Sequence, residues 1–94
     1  MSETKLFNGK QWSFIKKHFD LTLRELEVAK LVSCGLRNWR IADKLEIRLG
    51  TVKTHIKNIY RKIKADSKIN MLLKFAGYLQ NLKKRGNDID SGEK

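Results

Sequence analysis

The sequence predicts an all-α domain, and three observations support that prediction. Apolar residues recur along most of the chain at the three- and four-residue spacing of amphipathic helices. No stretch shows the strict alternation of a half-buried strand. The 94 residues are 40% hydrophobic and 33% charged with no proline, which is the balance of a globular chain rather than a disordered one. This length accommodates one small core, so a single domain is expected.

The first predicted helix spans residues 10–19. An Asn-Gly turn signal at positions 8 and 9 precedes it. Its apolar positions then follow an i, i+3, i+7 pattern, with Trp12, Ile15 and Phe19 on one side. We assign this helix, together with its polar lead-in, to an N-terminal extension over residues 1–20.

The second helix is predicted to begin at Leu23. Thr22 and Glu25 form a capping box, in which the threonine hydroxyl accepts from the third residue's N–H and the glutamate reaches back to the cap's own N–H. We expect this helix to end at Gly35, because glycine can enter the left-handed conformation that helix C-termini often need.

Three more helices are expected in the rest of the chain. A short helix over residues 38–45 is followed by a brief turn and a longer helix over residues 50–64. Ser67 can cap a last helix that runs to about Lys84. The polar, mostly acidic residues 86–94 are predicted to be disordered.

The net charge is the strongest compositional signal. It amounts to +11, and residues 36–64 carry nine basic side chains against two acidic ones. Such polarisation is typical of a protein that binds nucleic acid, with an anionic membrane surface or an ordinary solvated basic surface as alternatives. No segment approaches the roughly 20 apolar residues of a membrane span, so no membrane partner is expected.

The helices at 38–45 and 50–64 have the spacing of a helix-turn-helix pair. The small Ala42 allows a close crossing, and Val52 fills the contact from the other side. The positions of the longer helix that packing leaves free are Lys53, Thr54, Lys57, Asn58 and Arg61. Lysine can donate to guanine and the threonine methyl can meet thymine's methyl, while asparagine and arginine can hold phosphates. The alternative is a surface helix with ordinary solvated lysines.

The sequence resembles a known family of DNA-binding domains. The matching residues are Leu21-Thr22-Leu23-Arg24-Glu25, Glu27-Val28, Gly35-Leu36, Asn38, Ile41-Ala42, Leu45 and the run from Thr51 to Ile63. They are similar to the LuxR-type (FixJ-type) DNA-binding domain from about residue 21 to 75. The resemblance implies a four-helix domain over residues 21–85, whose third helix reads the major groove and whose fourth mediates dimerisation. The helix at 10–19 is then an extra lead-in helix.

The resemblance also assigns individual contacts. It implies base contacts for Lys53, Thr54 and Lys57. It implies phosphate contacts for Asn38, Thr51, Asn58 and Lys62.

Three arginines depart from the family pattern. Arg37 and Arg48 stand where the family usually has a Ser or Thr cap, and Arg40 stands where it usually has Glu. Each lost cap costs about 1 kcal/mol. A bound phosphate would offset this cost, because the positive helix end and the arginine would share one anion. We therefore add Arg37 and Arg40 to the predicted phosphate set, which also includes Arg61 as an exposed arginine of the longer helix. For Trp39, simple packing is favoured over stacking on sugar or contact with another protein.

The last helix has two apolar stripes. The first, Ile69, Leu72, Leu73 and Ala76, is expected to dock on its own domain. The second, Met71, Phe75, Tyr78 and Leu82, is expected to form the interface of a homodimer. The alternative is that the lead-in helix covers this second stripe and the chain stays monomeric.

These features predict a bacterial-type, cytoplasmic transcriptional regulator that binds double-stranded DNA sequence-specifically as a homodimer. An enzyme is not expected, since neither histidine has a partner at metal-ligand spacing and the single cysteine is alone. No cofactor or metal is implied. One alternative is a protein-interaction module that uses the same scaffold to bind another regulator or RNA polymerase. A general RNA binder is a third possibility, although the sequence has no aromatic-rich strand platform.

Overall fold

The computed structural model describes the backbone of residues 6–91 and the side chains of residues 6–84. This part of the chain forms five helices and no strand. In chain order they are α1 (Gly9–Phe19), α2 (Leu23–Ser33), α3 (Asn38–Leu45), α4 (Leu49–Ile63) and α5 (Lys68–Ser91). The predictions of an all-α fold and of a lead-in helix are confirmed.

Two capping boxes fix the starts of α1 and α2. The Gln11 N–H donates to Asn8 Oδ1 at 2.7 Å, and the Asn8 N–H donates back to Gln11 Oε1 at 2.9 Å. Thr22 and Glu25 make the same reciprocal pair, with both distances 3.0 Å. The second box was predicted. The first was not, because Asn8 had been interpreted only as part of a turn.

The ends of α2, α3 and α4 use left-handed residues. Gly35 has φ +89° just beyond α2, as expected of a glycine at a helix C-terminus. Glu46 and Lys64 adopt φ of 57° and 62° at the ends of α3 and α4, although neither is a glycine. Helix α4 ends at Ile63 because Lys64 is this left-handed cap. It begins at Leu49, so both of its ends lie one residue earlier than predicted.

Helix α5 is longer than the sequence analysis predicted. Ser67 Oγ accepts from the Asn70 N–H at 3.1 Å and so caps the helix as expected. The helix then passes the predicted end near Lys84 and reaches Ser91, since one glycine at position 86 costs only about 1 kcal/mol in a helix. The predicted disorder is therefore wrong for residues 86–91, which are helical; for residues 92–94 it stays a prediction, because they lie outside the described residues.

The core is centred on α2, which packs against each of the other four helices. Val28 of α2 is fully buried. So are one or two large residues of each surrounding helix: Ile15 of α1, Ile41 of α3, Val52 and Ile59 of α4, and Met71 and Phe75 of α5. This arrangement holds the α3–α4 pair against α2, while α1 packs against α2 and α5.

On α5, the centre of the stripe expected to face a partner is buried, and most of the stripe expected to dock inward is exposed. Met71 and Phe75 are fully buried, so the expectation that they lie open to a partner is wrong. Trp12 and Phe19 of α1 lie with ring centroids 5.6 and 5.7 Å from that of Phe75. The lead-in helix covers this stripe because its aromatic side chains bury more apolar area than a polar helix would.

The outer members of that stripe are only partly covered. Tyr78 is half-buried and stacks on His18 with centroids 4.0 Å apart, and Leu82 is also half-buried. Most of the stripe expected to dock inward faces water instead: Ile69 is 67% exposed and Leu73 is 64% exposed. Ala76 is exposed beside them. Leu72 of that stripe is half-buried and packs against the core as expected.

Candidate nucleic-acid interface

Helix α4 separates an apolar face from a basic one. Val52, Ile59 and Ile63 are buried against the core. The opposite side exposes Lys53, Thr54, Lys57 and Arg61, with Asn58 half-buried at its margin. At 1.5 Å per residue, the row from Lys53 to Arg61 is about 12 Å long. The three side chains predicted to read bases therefore share one exposed helix face.

The turn between α3 and α4 is held by backbone hydrogen bonds. The Ile47 N–H donates to the Ala42 carbonyl at 3.0 Å, and the Glu46 N–H donates to the Asp43 carbonyl at 3.2 Å. Ala42 is partly buried against the core, where its small side chain lets α4 pass closely. These contacts hold the short turn that joins the two helices of a helix-turn-helix unit.

The first turns of α3 and α4 have no side-chain cap. Arg37 and Arg48 occupy the N-cap positions, and neither makes a capping hydrogen bond. Both first turns also have no acidic residue. Backbone N–H groups, the positive end of the helix dipole and exposed guanidinium groups therefore coincide at each of the two helix starts.

Other residues of the predicted phosphate set lie at the same helix starts. Asn38 is half-buried and Arg40 is exposed in the first turn of α3, while Thr51 is exposed in the first turn of α4. With Arg61 on the exposed row of α4, these side chains all belong to the α3–α4 pair. The predicted base and phosphate residues thus lie on α3, on α4 or at their N-caps. Lys62 also lies on α4, but its ammonium is engaged within the protein.

Lys62 makes a contact within the protein that the sequence analysis missed. Its Nζ donates to Glu25 Oε1 at 2.7 Å and to the Asp20 carbonyl at 2.9 Å. The ammonium therefore ties the C-terminal half of α4 to the start of α2. A phosphate at Lys62 would have to compete with both acceptors.

Glu25 is a buried carboxylate, with 5% of its surface exposed. Burial by itself raises its pKa. The hydrogen bonds from Lys62 and from the Thr22 N–H and the charges of Lys62 and His55 act in the opposite direction, and together they outweigh the effect of burial. The net result is a pKa below the ordinary glutamate value. No sequence signal pairs residues 37 positions apart, so this contact could be found only in the folded chain.

Trp39 is exposed, which corrects the prediction of simple packing. It is 58% exposed, and the Arg40 guanidinium carbon lies 5.7 Å from its ring centroid. Ile41 is the buried residue of α3. A side chain two positions earlier lies about 200° around the helix from it, and so points away from the core.

The described residues contain neither a candidate metal site nor a candidate membrane span. Among the residues that the structure describes, no three His, Cys, Asp or Glu side chains form a group that could hold a metal ion. Within the same residues, no helix combines the length and apolar character needed to cross a bilayer.

Comparison with known proteins identifies the domain. Residues 20–75 match the family model of bacterial regulatory proteins, luxR family, which is more than half of the chain. The chain belongs to the LuxR family. The matched segment runs from the start of α2 into α5, and α1 lies outside it.

Two relatives show how this LuxR domain compares with longer proteins. The transcriptional regulatory protein LnrK of Bacillus subtilis (strain 168) is 52% identical over 44 residues, which is 47% of this chain and 20% of LnrK. The HTH-type transcriptional regulator MalT of Cronobacter sakazakii (strain ATCC BAA-894) is 35% identical over 80 residues, 79% of this chain and 9% of MalT. The chain thus spans a fifth or less of these relatives' lengths. No solved structure matches it.

Proposed function

We propose that this LuxR-family domain binds double-stranded DNA sequence-specifically and regulates transcription, with α4 in the major groove. The observation that carries the proposal is the exposed row of Lys53, Lys57 and Arg61 opposite the buried stripe of the same helix. A helix anchored on one side and basic on the other fits a groove that admits one α-helix. The names of the relatives support a regulatory role.

The exposed side chains divide into base-reading and positioning groups. Lys53 and Thr54 lie in the N-terminal half of α4 and Lys57 one residue past its midpoint, and all three would meet base edges, where lysine donates to guanine O6 or N7. The remaining contacts are to phosphate and set the register: Arg37, Asn38, Arg40, Thr51, Asn58 and Arg61. The uncapped starts of α3 and α4 would each receive a phosphate, which supplies the missing acceptor.

The homodimer contact is best placed on the exposed face of α5. Ile69, Leu73 and Ala76 recur at the four- and three-residue spacing of a helix–helix seam and lie in water in the monomer. An isologous pairing through this face would present two copies of α4 to a pseudo-palindromic site.

Selection from a random double-stranded DNA pool, followed by sequencing, tests this function. We expect an enriched motif with two related half-sites. Binding to that motif should weaken steeply with salt, with a log–log slope of about −4 or steeper per domain, because about four to six phosphate contacts release as many counterions. Absence of any enriched motif together with salt-independent binding would refute the proposal.

The exposed Trp39 favours a second function, contact with another regulator or with RNA polymerase. An exposed tryptophan beside an arginine is typical of the residues that dominate protein–protein interfaces. In transcription assays with purified polymerase, Trp39→Ala should then reduce output at unchanged DNA occupancy. Equal loss of occupancy and output would place Trp39 on DNA instead.

A further inference from the structure

A cavity of about 500 Å³ lies between the start of α1 and the end of α2. Its wall combines the segment before α1 and the first turns of α1 with the last turn of α2. The residues are Leu6, Phe7, Asn8, Gly9, Trp12, Lys30, Leu31, Ser33 and Cys34. This volume lies within the range of small-molecule sites, which is about 300–1,000 Å³. Because α1 lies outside the matched family segment, the cavity is formed partly by residues that the LuxR core lacks.

The wall is largely apolar. Among its polar side chains, Asn8 makes the capping box of α1, while Ser33 and Lys30 can meet a ligand. Ser33 Oγ is buried and has no hydrogen-bond partner within the described residues. Such groups are uncommon in folded proteins and call for an explanation. Lys30 is the charged side chain of the wall, and it is exposed at the rim. An apolar wall with few polar groups is the usual construction of a ligand site.

The electrostatics of the cavity favour an anion. The first turn of α1 lies in the wall and has no acidic residue; the neutral Asn8 side chain caps this helix start by accepting from the Gln11 N–H, so no negative charge opposes the positive end of the helix. Lys30 adds a full positive charge on the opposite side. The negative end of α2 is also near, but the Leu36 N–H already donates to the Leu31 carbonyl at 3.2 Å and the Gly35 N–H to the Val32 carbonyl at 3.0 Å.

We infer that this cavity binds a small aromatic carboxylate, whose ring lies against Trp12 and whose carboxylate pairs with Lys30. The inference goes beyond the proposed DNA-binding function and does not depend on it. A ligand bound in the cavity would contact both the segment before α1 and the last turn of α2. Phe7 and Trp12 are in turn in edge-to-face contact with each other at 5.2 Å, and each contacts Phe75 of α5. A ligand here would therefore brace the docking of α1 onto α5.

Titration with 2-naphthoate, followed by the indole N–H signals in a ¹H–¹⁵N spectrum of the full chain, tests the inference. The chain has two tryptophans, and Trp39→Phe assigns their signals. We expect the Trp12 signal to shift with a Kd of about 100 µM, the affinity usual for a ligand of this size. The Trp39 signal, on the exposed surface of α3, should stay in place.

Variants separate a specific site from general adhesion. A side chain added at Gly9 meets open space at a wall position of the cavity, so Gly9→Leu should fill it and weaken binding at least tenfold. Gly77→Leu is the matched control, because its side chain also meets open space but lies away from the wall. Lys30→Met should weaken naphthoate binding about tenfold and leave the neutral analogue 2-naphthalenemethanol unaffected.

Three outcomes would overturn the inference. Equal shifts of both indole signals would indicate non-specific adhesion. Equal affinity for the carboxylate and the alcohol in the unaltered chain would remove the role of Lys30. Undiminished naphthoate affinity in Gly9→Leu would mean that the ligand does not occupy the cavity.

Discussion

Replacing Lys62 with methionine should destabilise the domain by about 2 kcal/mol at pH 7. The substitution keeps most of the aliphatic stem and removes the charge that pairs with Glu25 at 2.7 Å. Losing one partner of a fully buried ion pair costs about 3–5 kcal/mol. Lys62 retains 25% side-chain exposure, so water partly compensates and the cost falls toward that of one charged hydrogen bond, about 1.5–3 kcal/mol.

The pH dependence of this loss is the sharper part of the prediction. Because the Glu25 pKa is lowered in the fold, its ionisation stabilises the native state above the unfolded value of about 4.3. That stability is lost as the pH falls through the folded pKa. In Lys62→Met the carboxylate keeps its burial but loses its main partner. The difference between the two proteins should therefore shrink as the pH falls from 7 toward 3.

Urea unfolding followed by helical circular dichroism at several pH values measures this difference. Arg24→Met is the matched control, because the Arg24–Glu27 pair has a similar distance, 3.0 Å, but its side chains are 44% and 53% exposed. Such surface pairs contribute about 0–1 kcal/mol. A Lys62→Met effect that is constant from pH 7 to pH 3, or no larger than that of Arg24→Met, would refute the reasoning.

Three further predictions concern the DNA face and α5. In fluorescence-anisotropy titrations, Lys53→Ala should cost about 1–3 kcal/mol of binding free energy at the selected site and little on random DNA. Arg61→Ala should weaken binding to both DNAs alike. The same pattern of losses in both variants would contradict the assignment of Lys53 to base reading. Replacing both Ile69 and Leu73 with glutamate should leave the circular dichroism spectrum intact and yield monomers in sedimentation experiments, and a wild type that is monomeric at tens of micromolar with and without DNA would contradict this. Phe75→Ala should cost about 3–5 kcal/mol in urea unfolding, and a loss under 1 kcal/mol would contradict its place in the core.

Much of the fold followed from local patterns. The Thr22–Glu25 capping box, the glycine after α2 and the bounds of α3 all depend on residues close together in the sequence, and each was predicted. The start of α1 was missed by one residue because an Asn-Gly pair reads equally well as a turn and as a cap followed by the first helical residue.

The sequence could not decide which face of α5 is buried. Both stripes have helical spacing, and the choice between them depends on which one meets the aromatic residues of α1. Periodicity reports that a face is apolar, but it does not report its partner. The same limit applies to Lys62, for which the family resemblance implied a phosphate contact, while its observed acceptors lie near the start of α2. On α4, by contrast, the exposed face predicted from periodicity is the one observed.

The packing of α1 against α5 has a consequence for synthesis. Trp12 and Phe75 are in contact in the fold but lie about 60 residues apart in the chain. At roughly 5–20 residues per second, the ribosome synthesises Phe75 several seconds after Trp12. During that interval α2 can already pack against α1, but the aromatic side of α1 that α5 covers stays open. Maturation of the domain is therefore set by its last helix, and a stalled chain that ends before residue 71 would present Trp12 and Ile15 to chaperones.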